Sequence, residues 1–377
     1  MRLAGVFLLL LIVFASACLS DAPVGEKTST ASFSPPLQPI PETTSSPAPS
    51  VSHTSSPTPS NSTSLKTAQQ NVTSTGQTAP EGETSSQVPG KRTLNLSSTK
   101  SWAYWLQNAS PEVIANSGFD LVVMDYSRDG GDETAYTREE IEMIKRAGVI
   151  PIAYISIGEA EEYRFYWRDE WKENPPEWLG PENPDWEGNY AVKYWEEGWK
   201  RVVLEYLDKI IAQGFSGVYL DKVDEYWFWA EKGYNESWTA KQMIEFIIQI
   251  SNYTRSKAGK DFIIIPQNGE WLLDYDNGSL LRTVSGWASE DVFYDGLEPS
   301  PWVSEKVPLL DGVVKAGKIV LVVDYVDDGT RSDEDLARIL DFIEKARERG
   351  YLPYVAFEDR ELDRLDVIPG VQPPIEK

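Results

Sequence analysis

Short apolar runs alternate with amphipathic stretches from Ser101 to the end of the chain. The apolar runs with the length and composition of strands are 102–106, 121–125, 150–155, 217–221, 262–266, 284–288, 319–324 and 352–356. The amphipathic stretches that predict helices are 137–148, 195–212, 240–257 and 332–350, and the first opens on a capping box, Thr137-Arg138-Glu139-Glu140. Eight strands separated by helices predict an α/β fold, a (β/α)8 TIM barrel. An open doubly wound sheet is less favoured, because no Gly-x-Gly-x-x-Gly turn follows the first strand.

The segment from Glu159 to Trp195 interrupts the alternation of predicted strands and helices. It is long and rich in Trp and Pro, and it follows the third predicted strand. Loops that follow barrel strands lie at the face where the strands end. We therefore expect this insertion to cover the C-terminal face of the barrel.

The first 91 residues differ in character from the rest. An apolar run at 3–14 precedes Ala15-Ser16-Ala17, which predicts a signal peptide over residues 1–17. Small residues before Cys18 also resemble a lipobox, which favours a lipid on Cys18 over simple secretion. Residues 18–91 are rich in Ser, Thr and Pro and predict a disordered stalk, with Asn-x-Ser/Thr sequons that suit a glycoprotein. The folded domain is then 92–377. We expect it to be monomeric and extracellular, anchored at the outer face of the membrane.

Composition excludes several kinds of chemistry. Cys18 and His53 are the only residues of their types, and both lie outside the predicted domain. Ser-His-Asp and Cys-His catalysis, zinc sites built on His or Cys, and a disulfide within the chain are therefore excluded. An all-oxygen metal site stays open, but no Asp-x-Asp-x-Asp-Gly loop supports one, and we expect neither a metal nor a cofactor. Residues 92–377 carry 31 basic and 54 acidic side chains, which disfavours nucleic-acid binding.

Carboxylates and an amide cluster where the predicted strands end. In a barrel these positions form the active-site face. Two carboxylates across a sugar, one protonated and one ionised, are what glycosidic cleavage requires. Strand-end acids also cap helices, so each position alone has a structural alternative. The candidates are Asp125, Glu159, Asp221, Asp224, Asn268, Glu270, Glu290 and Asp324.

Tryptophans are concentrated in the predicted loops. All 14 lie between Trp102 and Trp302. Flat rings stack on the C–H faces of sugars, so loop tryptophans favour a carbohydrate ligand, whereas Trp195 and Trp199, at helical spacing, are expected in the core. The loop tryptophans are Trp167, Trp171, Trp178, Trp186, Trp227, Trp229 and Trp271.

Three motifs resemble glycoside hydrolase family 114. They are Tyr-Ile-Ser-Ile-Gly-Glu-Ala-Glu at 154–161, Gly-Phe-Ser-Gly-Val-Tyr-Leu-Asp-Lys-Val-Asp at 214–224, and Pro-Gln-Asn-Gly at 266–269. They are most similar to the family's branch of extracellular polysaccharide hydrolases from thermophilic bacteria and archaea. The resemblance implies an endo-α-1,4-polygalactosaminidase on a (β/α)8 barrel. It implies a catalytic Asp that ends the fourth strand and a catalytic Glu that ends the sixth.

Carried over by motif, these residues are Asp221 and Glu290, with Glu270 as an alternative acid/base. Tyr154, Asn268 and Glu270, which lie in or beside these motifs, and Trp287, three residues before Glu290, are further expected substrate contacts. Galactosamine polymers that are partly deacetylated carry ammonium groups, for which Asp125, Glu159, Asp224 and Asp324 are candidate contacts.

The resulting hypothesis is a surface-anchored, retaining endo-glycosidase that uses no cofactor and acts on an amino-sugar polysaccharide. The alternative is a non-catalytic carbohydrate-binding module on the same barrel. A metal-dependent deacetylase is a weaker alternative, because the domain has no histidine.

Overall fold

A computed structural model describes residues 96–374 of the chain. Eight strands account for all eight predicted apolar runs, and they form a five-stranded and a three-stranded parallel sheet. They are β1 (Trp102–Tyr104), β2 (Leu121–Met124), β3 (Ile150–Ser156), β4 (Gly217–Asp221), β5 (Ile263–Pro266), β6 (Gly286–Glu290), β7 (Ile319–Asp327) and β8 (Leu352–Phe357). The predicted α/β fold with a parallel sheet is therefore confirmed.

The strands follow chain order around the sheet. Parallel ladders join β1 through β5 in sequence, and further parallel ladders join β6 to β7 and β7 to β8. Between β5 and β6 the backbone N–H of Ser285 donates to the Ile264 carbonyl across 2.8 Å, and that of Asn268 donates to the Ala288 carbonyl across 2.9 Å. Between β8 and β1 the Trp102 indole donates to the Leu352 carbonyl across 2.8 Å. The strand order is thus that of a TIM-like barrel.

Helices fill the connections between the strands. They are α1 (Pro111–Ala115), α2 (Arg138–Arg146), α3 (Glu197–Gln213), α4 (Glu225–Glu231), α5 (Glu236–Ala258), α6 (Leu272–Tyr275), α7 (Ser279–Thr283), α8 (Val303–Lys315) and α9 (Asp333–Glu348). The capping box predicted at Thr137 is present, with reciprocal bonds between Thr137 and Glu140. Helix α3 ends at Gly214, whose left-handed φ of 93° suits a residue without a Cβ.

Several boundaries differ from the sequence prediction by a few residues, and two of these differences have a clear local cause. The sixth strand, predicted at 284–288, lies at Gly286–Glu290, because Val284 still donates its backbone N–H to Leu280 at the end of α7. Helix α5 begins at Glu236 rather than 240, because the Asn235 side chain caps it by accepting from the Trp238 backbone N–H.

The predicted loop at 159–195 contains a sheet of its own. Three antiparallel strands, Glu159–Glu161, Leu179–Glu182 and Asn189–Val192, pair with the last of them in the centre. Two indoles attach the insertion to the barrel helices. Trp229 of α4 donates to the Val192 carbonyl across 2.8 Å, and Trp178 packs on Trp199 of α3 with ring centroids 5.1 Å apart. The insertion is therefore a structured part of the face formed by the strand ends.

No helix within residues 96–374 combines the length and the apolarity that crossing a membrane requires. The predicted signal peptide, the lipid on Cys18 and the stalk lie outside the described residues.

Candidate active site

Asp221 and Glu290 lie at the C-terminal ends of two barrel strands, β4 and β6. Side chains alternate along a strand, so Asp221 shares a face with Tyr219. The Tyr219 ring lies 5.2 Å from the ring of Tyr104 on β1, which is not a neighbour of β4 in the sheet, so this face is the barrel interior. Paired residues of neighbouring parallel strands face the same side. The β4–β5 ladder places Gln267 level with Asp221, and the Gln267–Ala288 bridge extends this register to β6. Ala288 therefore faces the interior, and so does Glu290, two residues further on. Both carboxylates thus cap the barrel interior at its C-terminal face.

Asp221 is held by a tyrosine on the neighbouring strand. The Tyr154 hydroxyl on β3 donates to Oδ2 of Asp221 across 2.6 Å. Burial and the negative charge of Glu290 raise the pKa of Asp221 to about 7, while Lys222 and the Tyr154 hydrogen bond oppose the rise. Asp221 therefore changes protonation near neutral pH, as groups that do acid–base or nucleophilic work often do.

Both carboxylate oxygens of Glu290 accept hydrogen bonds. The Asn268 amide donates to Oε2 across 2.9 Å, and the Tyr325 hydroxyl on β7 donates to Oε1 across 2.5 Å. The side-chain oxygen Oδ1 of Asn268 also accepts from the backbone N–H of Glu290 across 3.0 Å, which fixes the orientation of the Asn268 side-chain amide. The Arg360 guanidinium lies 4.3 Å from the centre of the Tyr325 ring. The Glu290 carboxylate is thus fixed by partners from two other strand ends.

Buried tyrosines form the floor beneath the two acids. Burial is the largest cause that raises the pKa of Tyr104, Tyr154, Tyr219 and Tyr325 well above its ordinary value. These phenols therefore stay neutral across the physiological range and remain hydrogen-bond donors. Donation by Tyr154 favours the ionised form of Asp221 and partly offsets the effect of its burial.

The backbone is strained beside both acids. Lys222 follows Asp221 with a φ of 59°, and Asp291 follows Glu290 with a φ of 51°. Asn268, which orients Glu290, has a φ of 58°. For a residue with a Cβ this left-handed conformation costs roughly 1–2 kcal/mol, and asparagine tolerates it best. Strain retained at three adjacent strand ends is typical of functional sites.

The sequence profile of Glycoside-hydrolase family GH114 matches residues 82–371. The chain belongs to this family. It is therefore a glycosidase, and the enzyme predicted from sequence is confirmed at that level. The family resemblance predicted from the three motifs is confirmed as well.

Two relatives are similar to this GH114 enzyme over most of its domain. The uncharacterized protein MJ1477 of Methanocaldococcus jannaschii is 63% identical over 268 residues, which is 70% of this chain and 78% of that protein. An uncharacterized protein of Thermotoga maritima is 49% identical over 278 residues, which is 72% of this chain and 85% of that protein.

Two solved structures share the fold at low sequence identity. The glycoside hydrolase domain of PelA from Pseudomonas aeruginosa has a TM-score of 0.55 and 18% identity, covering 71% of this chain and 98% of that one. Aspergillus fumigatus Ega3, solved in complex with galactosamine, has a TM-score of 0.51 and 16% identity, covering 69% of this chain and 92% of that one.

Two of the predicted substrate contacts face away from the site, which corrects the sequence interpretation. Asp324 and Trp287 are both 0% exposed. Asp324 alternates with Tyr325 on β7 and lies on the outer face, where its carboxylate accepts backbone N–H bonds from Val292, Phe293 and Tyr294. Trp287 precedes the interior-facing Ala288, so its side chain points to the outer face of the barrel. Its indole N–H donates to the backbone carbonyl of Asn268 across 3.0 Å. Both residues position the neighbouring strand ends and are closed to a sugar.

Asp125 is also engaged internally. Its carboxylate accepts from Arg164 across 2.6 Å, and Arg164 bonds Glu161 across 2.6 Å as well. All three side chains are less than a tenth exposed. Burial raises the pKa of Asp125, and Arg164 opposes that rise. An ammonium group of a substrate would have to displace a buried guanidinium, so the proposed ammonium contact at Asp125 is corrected to a structural ion pair.

Glu159 and Lys222 form an ion pair beside Asp221. Their charged atoms are 2.9 Å apart, and the Asn183 amide from the insertion donates to the same Glu159 oxygen across 2.8 Å. Gly158 permits this approach, since a Cβ there would lie 2.1 Å from the Lys222 carbonyl. Glu159 is 4% exposed, so its ammonium partner is the protein's own Lys222.

Glu270 and Asp224 differ sharply in solvent exposure. Glu270 is 0% exposed, accepts a hydrogen bond from Ser289 and lies 3.9 Å from Lys306. Asp224 is half-buried, and within residues 96–374 its carboxylate has neither a hydrogen bond nor an ion pair. Access therefore favours Glu290 over Glu270 as the second acid, and it leaves Asp224 free to contact a substrate.

The loop tryptophans fall into three groups. Trp178 and Trp229 are 6% and 5% exposed and belong to the core, which corrects their prediction as sugar platforms. Trp227 on α4 and Trp271 after β5 are half-buried and pack together with centroids 4.7 Å apart, next to Asp224. The remaining three lie in the insertion, where Trp167, Trp171 and Trp186 are half-buried or exposed.

Sequence reasoning did not find Tyr325, Lys222, Arg164 or Arg360. Strand periodicity could have found Tyr325, because it lies two residues beyond Val323, which the ladder pairs with Glu290. Arg164 pairs with the nearby Glu161, but its contact with Asp125 and the contact of Arg360 with Tyr325 join distant parts of the chain, which no local pattern marks.

One acidic cluster in the described part of the chain has carboxylates close enough for a metal. Oxygen atoms of Asp327, Asp328 and Asp335 lie within 4.8 Å of one another. Arg331 pairs with Asp327 across 2.6 Å, and Arg338 pairs with Asp335 across 2.7 Å. These guanidinium groups already occupy the carboxylates of the cluster, which fits a structural network at the start of α9.

Lys222→Met is expected to move the acid limb of the kcat/KM–pH profile to higher pH. Lys222 opposes the rise of the Asp221 pKa, which is about 7 with the ammonium in place, so losing the ammonium raises this pKa further. Below that pKa the free enzyme carries protonated Asp221, and a protonated carboxyl group cannot act as a nucleophile or a base. Measuring kcat/KM from pH 4 to 9 tests this, with Lys222→Arg as the matched variant that keeps the charge. An acid limb that is the same in all three proteins would show that Asp221 is not the group that titrates.

Proposed function

We propose that this GH114 enzyme is a retaining endo-glycosidase that cleaves an α-1,4-linked, galactosamine-containing polysaccharide. The observation that carries the proposal is the pair Asp221 and Glu290, set at two strand ends of one barrel face and each bonded by a neutral tyrosine. A carboxylate pair is the minimal equipment of most glycosidases.

In the proposed mechanism Asp221 attacks the anomeric carbon while Glu290 gives its proton to the departing glycosidic oxygen. Glu290, now ionised, then takes a proton from water, and the resulting hydroxide displaces Asp221 from the sugar. In the free enzyme Asp221 has a raised pKa. The positive charge that develops on the sugar ring lies directly beside Asp221 and favours its ionised form as the reaction proceeds.

An amino sugar suits the charges around the pair. The domain is strongly acidic, and Asp224 beside the pair is free to take an ammonium group. Ega3, which shares the fold, was solved with galactosamine. Further contacts to the sugar at the strand ends would come from Asn268, Tyr154 and the packed rings of Trp227 and Trp271.

The same proposal extends to location. A lipid on Cys18 and the Ser/Thr/Pro-rich residues 18–91 would hold a monomeric catalytic domain at the outer face of the membrane, where an extracellular polysaccharide is accessible. Labelling with a radioactive fatty acid, with Cys18→Ser as the control, tests the anchor.

We expect the protein to release short oligomers from partly deacetylated α-1,4-galactosamine polymer, with α-anomers appearing first. Mass spectrometry of the soluble products gives their size, and proton NMR during the first minutes gives the anomer. β-Anomers formed first would contradict retention, and monomers alone would contradict endo cleavage. Activity confined to another glycan in a panel of α- and β-linked polysaccharides would contradict the substrate.

A further inference from the structure

Two exposed aromatic rings lie side by side at the start of α5. Tyr234 is 39% exposed and Trp238 is 41% exposed. Their ring planes are 18° apart and their centroids are 6.1 Å apart. Trp195 supports both rings from behind, at 5.2 Å from Tyr234 and 5.0 Å from Trp238. We call Tyr234 and Trp238 the aromatic platform.

Local folding does not require these rings. The Trp238 backbone N–H donates to the Asn235 side chain, the N-cap of α5, across 3.0 Å. Any residue other than proline at position 238 could make this bond. Trp195 and Trp229 pack on each other with centroids 5.5 Å apart. The platform therefore leaves two large rings partly in water on a base that is already packed, and such exposed aromatic surface is typical of a binding site.

An aromatic surface links the platform to the active-site face. Helix α4 starts directly after Asp224, and its seven residues span about 10 Å. Trp227 on α4 packs on Trp271 at the end of β5, while Trp229 on the same helix packs on Tyr234, with centroids 5.6 Å apart. Helix α4 and these ring contacts therefore connect the strand end at Asp221 with the platform, and a polymer bound at both would run along this surface.

Charge at the platform differs from charge at the active site. Residues 231–241 contain Glu231, Lys232, Glu236 and Lys241, so the segment is neutral within a domain that is strongly acidic. Stacking of a pyranose ring on an aromatic face needs no ionic partner. The platform thus suits uncharged, N-acetylated sugar units better than units that carry ammonium groups.

We propose that Tyr234 and Trp238 form a second glycan-binding site, which holds N-acetylated segments of the polysaccharide while the active site cleaves elsewhere on the same chain. This inference rests on the proposed polysaccharide substrate. It would let one polymer bind at two points, which raises its effective concentration at the active site.

The test measures adsorption of the full chain to insoluble, acetyl-rich galactosamine polymer, in an Asp221→Asn background that prevents cleavage. The double variant Tyr234→Ala/Trp238→Ala is expected to bind about tenfold more weakly, since two stacking contacts together contribute roughly that factor. The double variant Tyr234→Phe/Trp238→Phe keeps both rings and should bind nearly as well as the parent. Leu340→Ala, which removes an exposed apolar side chain on α9, is the matched control.

Several outcomes would overturn the proposal. Unchanged adsorption of the alanine variant would do so, and so would an equal loss of turnover on short soluble oligomers with active Asp221, which would assign the rings to the cleft. Loss of a dimer in light scattering, or selective loss of binding to anionic lipid vesicles, would assign the platform to another partner. Adsorption needs no turnover, so the same variants can be compared on other neutral glycans even if galactosamine polymer proves not to be the substrate.

Discussion

Asp221→Asn lowers kcat/KM on the order of 10⁴-fold in the outcome we expect, while the protein remains folded and binds its polysaccharide. An amide cannot attack the anomeric carbon, but it has nearly the shape of the carboxylate and still accepts from the Tyr154 hydroxyl. Turnover is measured as reducing ends released from the polymer, and binding as adsorption to the same polymer. Asp261→Asn, at a side chain that is 91% exposed, serves as the control.

The same substitution should also change the pH dependence of the free energy of unfolding. Because the pKa of Asp221 is raised to about 7 in the folded protein, the ionised carboxylate opposes folding, increasingly so from about pH 4 to pH 7. Asp221→Asn removes that charge, so the variant should be more stable than the parent at pH 8 and similar to it at pH 4. Urea unfolding at both pH values measures the difference. A variant that retains turnover, or that loses stability at pH 8, would contradict the assignment.

Glu290→Gln should lower kcat/KM by about 10²–10⁴-fold on polymer, which is the usual contribution of general acid–base catalysis. The loss should be much smaller for an aryl glycoside whose leaving group needs no proton. Gln retains an oxygen for the Asn268 or Tyr325 hydrogen bond, so the fold should persist. Steady-state kinetics on the two substrates separates loss of acid catalysis from a general loss of activity.

Glu270→Gln is the matched control for the second acid. Glu270 is fully buried beside Ser289, so its substitution should cost about 1–3 kcal/mol of stability and leave the ratio of the two activities unchanged. If Glu270→Gln rather than Glu290→Gln loses activity on polymer alone, the acid/base lies at Glu270.

Azide distinguishes the roles of the two carboxylates. In a retaining enzyme that lacks its nucleophile, azide attacks the free sugar face and gives an inverted glycosyl azide. In one that lacks its acid/base, azide attacks the glycosyl–enzyme intermediate and gives a retained product. Asp221→Ala should therefore give the β-azide and Glu290→Ala the α-azide. The opposite pattern would exchange the two roles, which the raised pKa of Asp221 in the free enzyme makes a necessary test.

The sequence determined the barrel strands and the two carboxylates at their ends. Parallel barrel strands are buried on both faces, so each appears as a short apolar run, and the runs end where the chain reaches the C-terminal face. Asp221 and Glu290 were two of eight candidates at or just beyond the ends of such runs, and the family resemblance singled them out.

Only the tertiary structure decided which strand-end residues face the barrel interior and which face outward. Asp324 and Tyr325 are adjacent in sequence, yet one holds the backbone at 292–294 and the other bonds Glu290, because neighbouring side chains of a strand point to opposite faces. The partners Arg164 for Asp125 and Lys306 for Glu270 come from other elements of the chain. Whether an acid is free or neutralised depends on such long-range contacts, because charge is felt through space and not along the chain. The platform of Tyr234 and Trp238 likewise depends on Trp195, about forty residues earlier in the chain, which folding brings behind both rings.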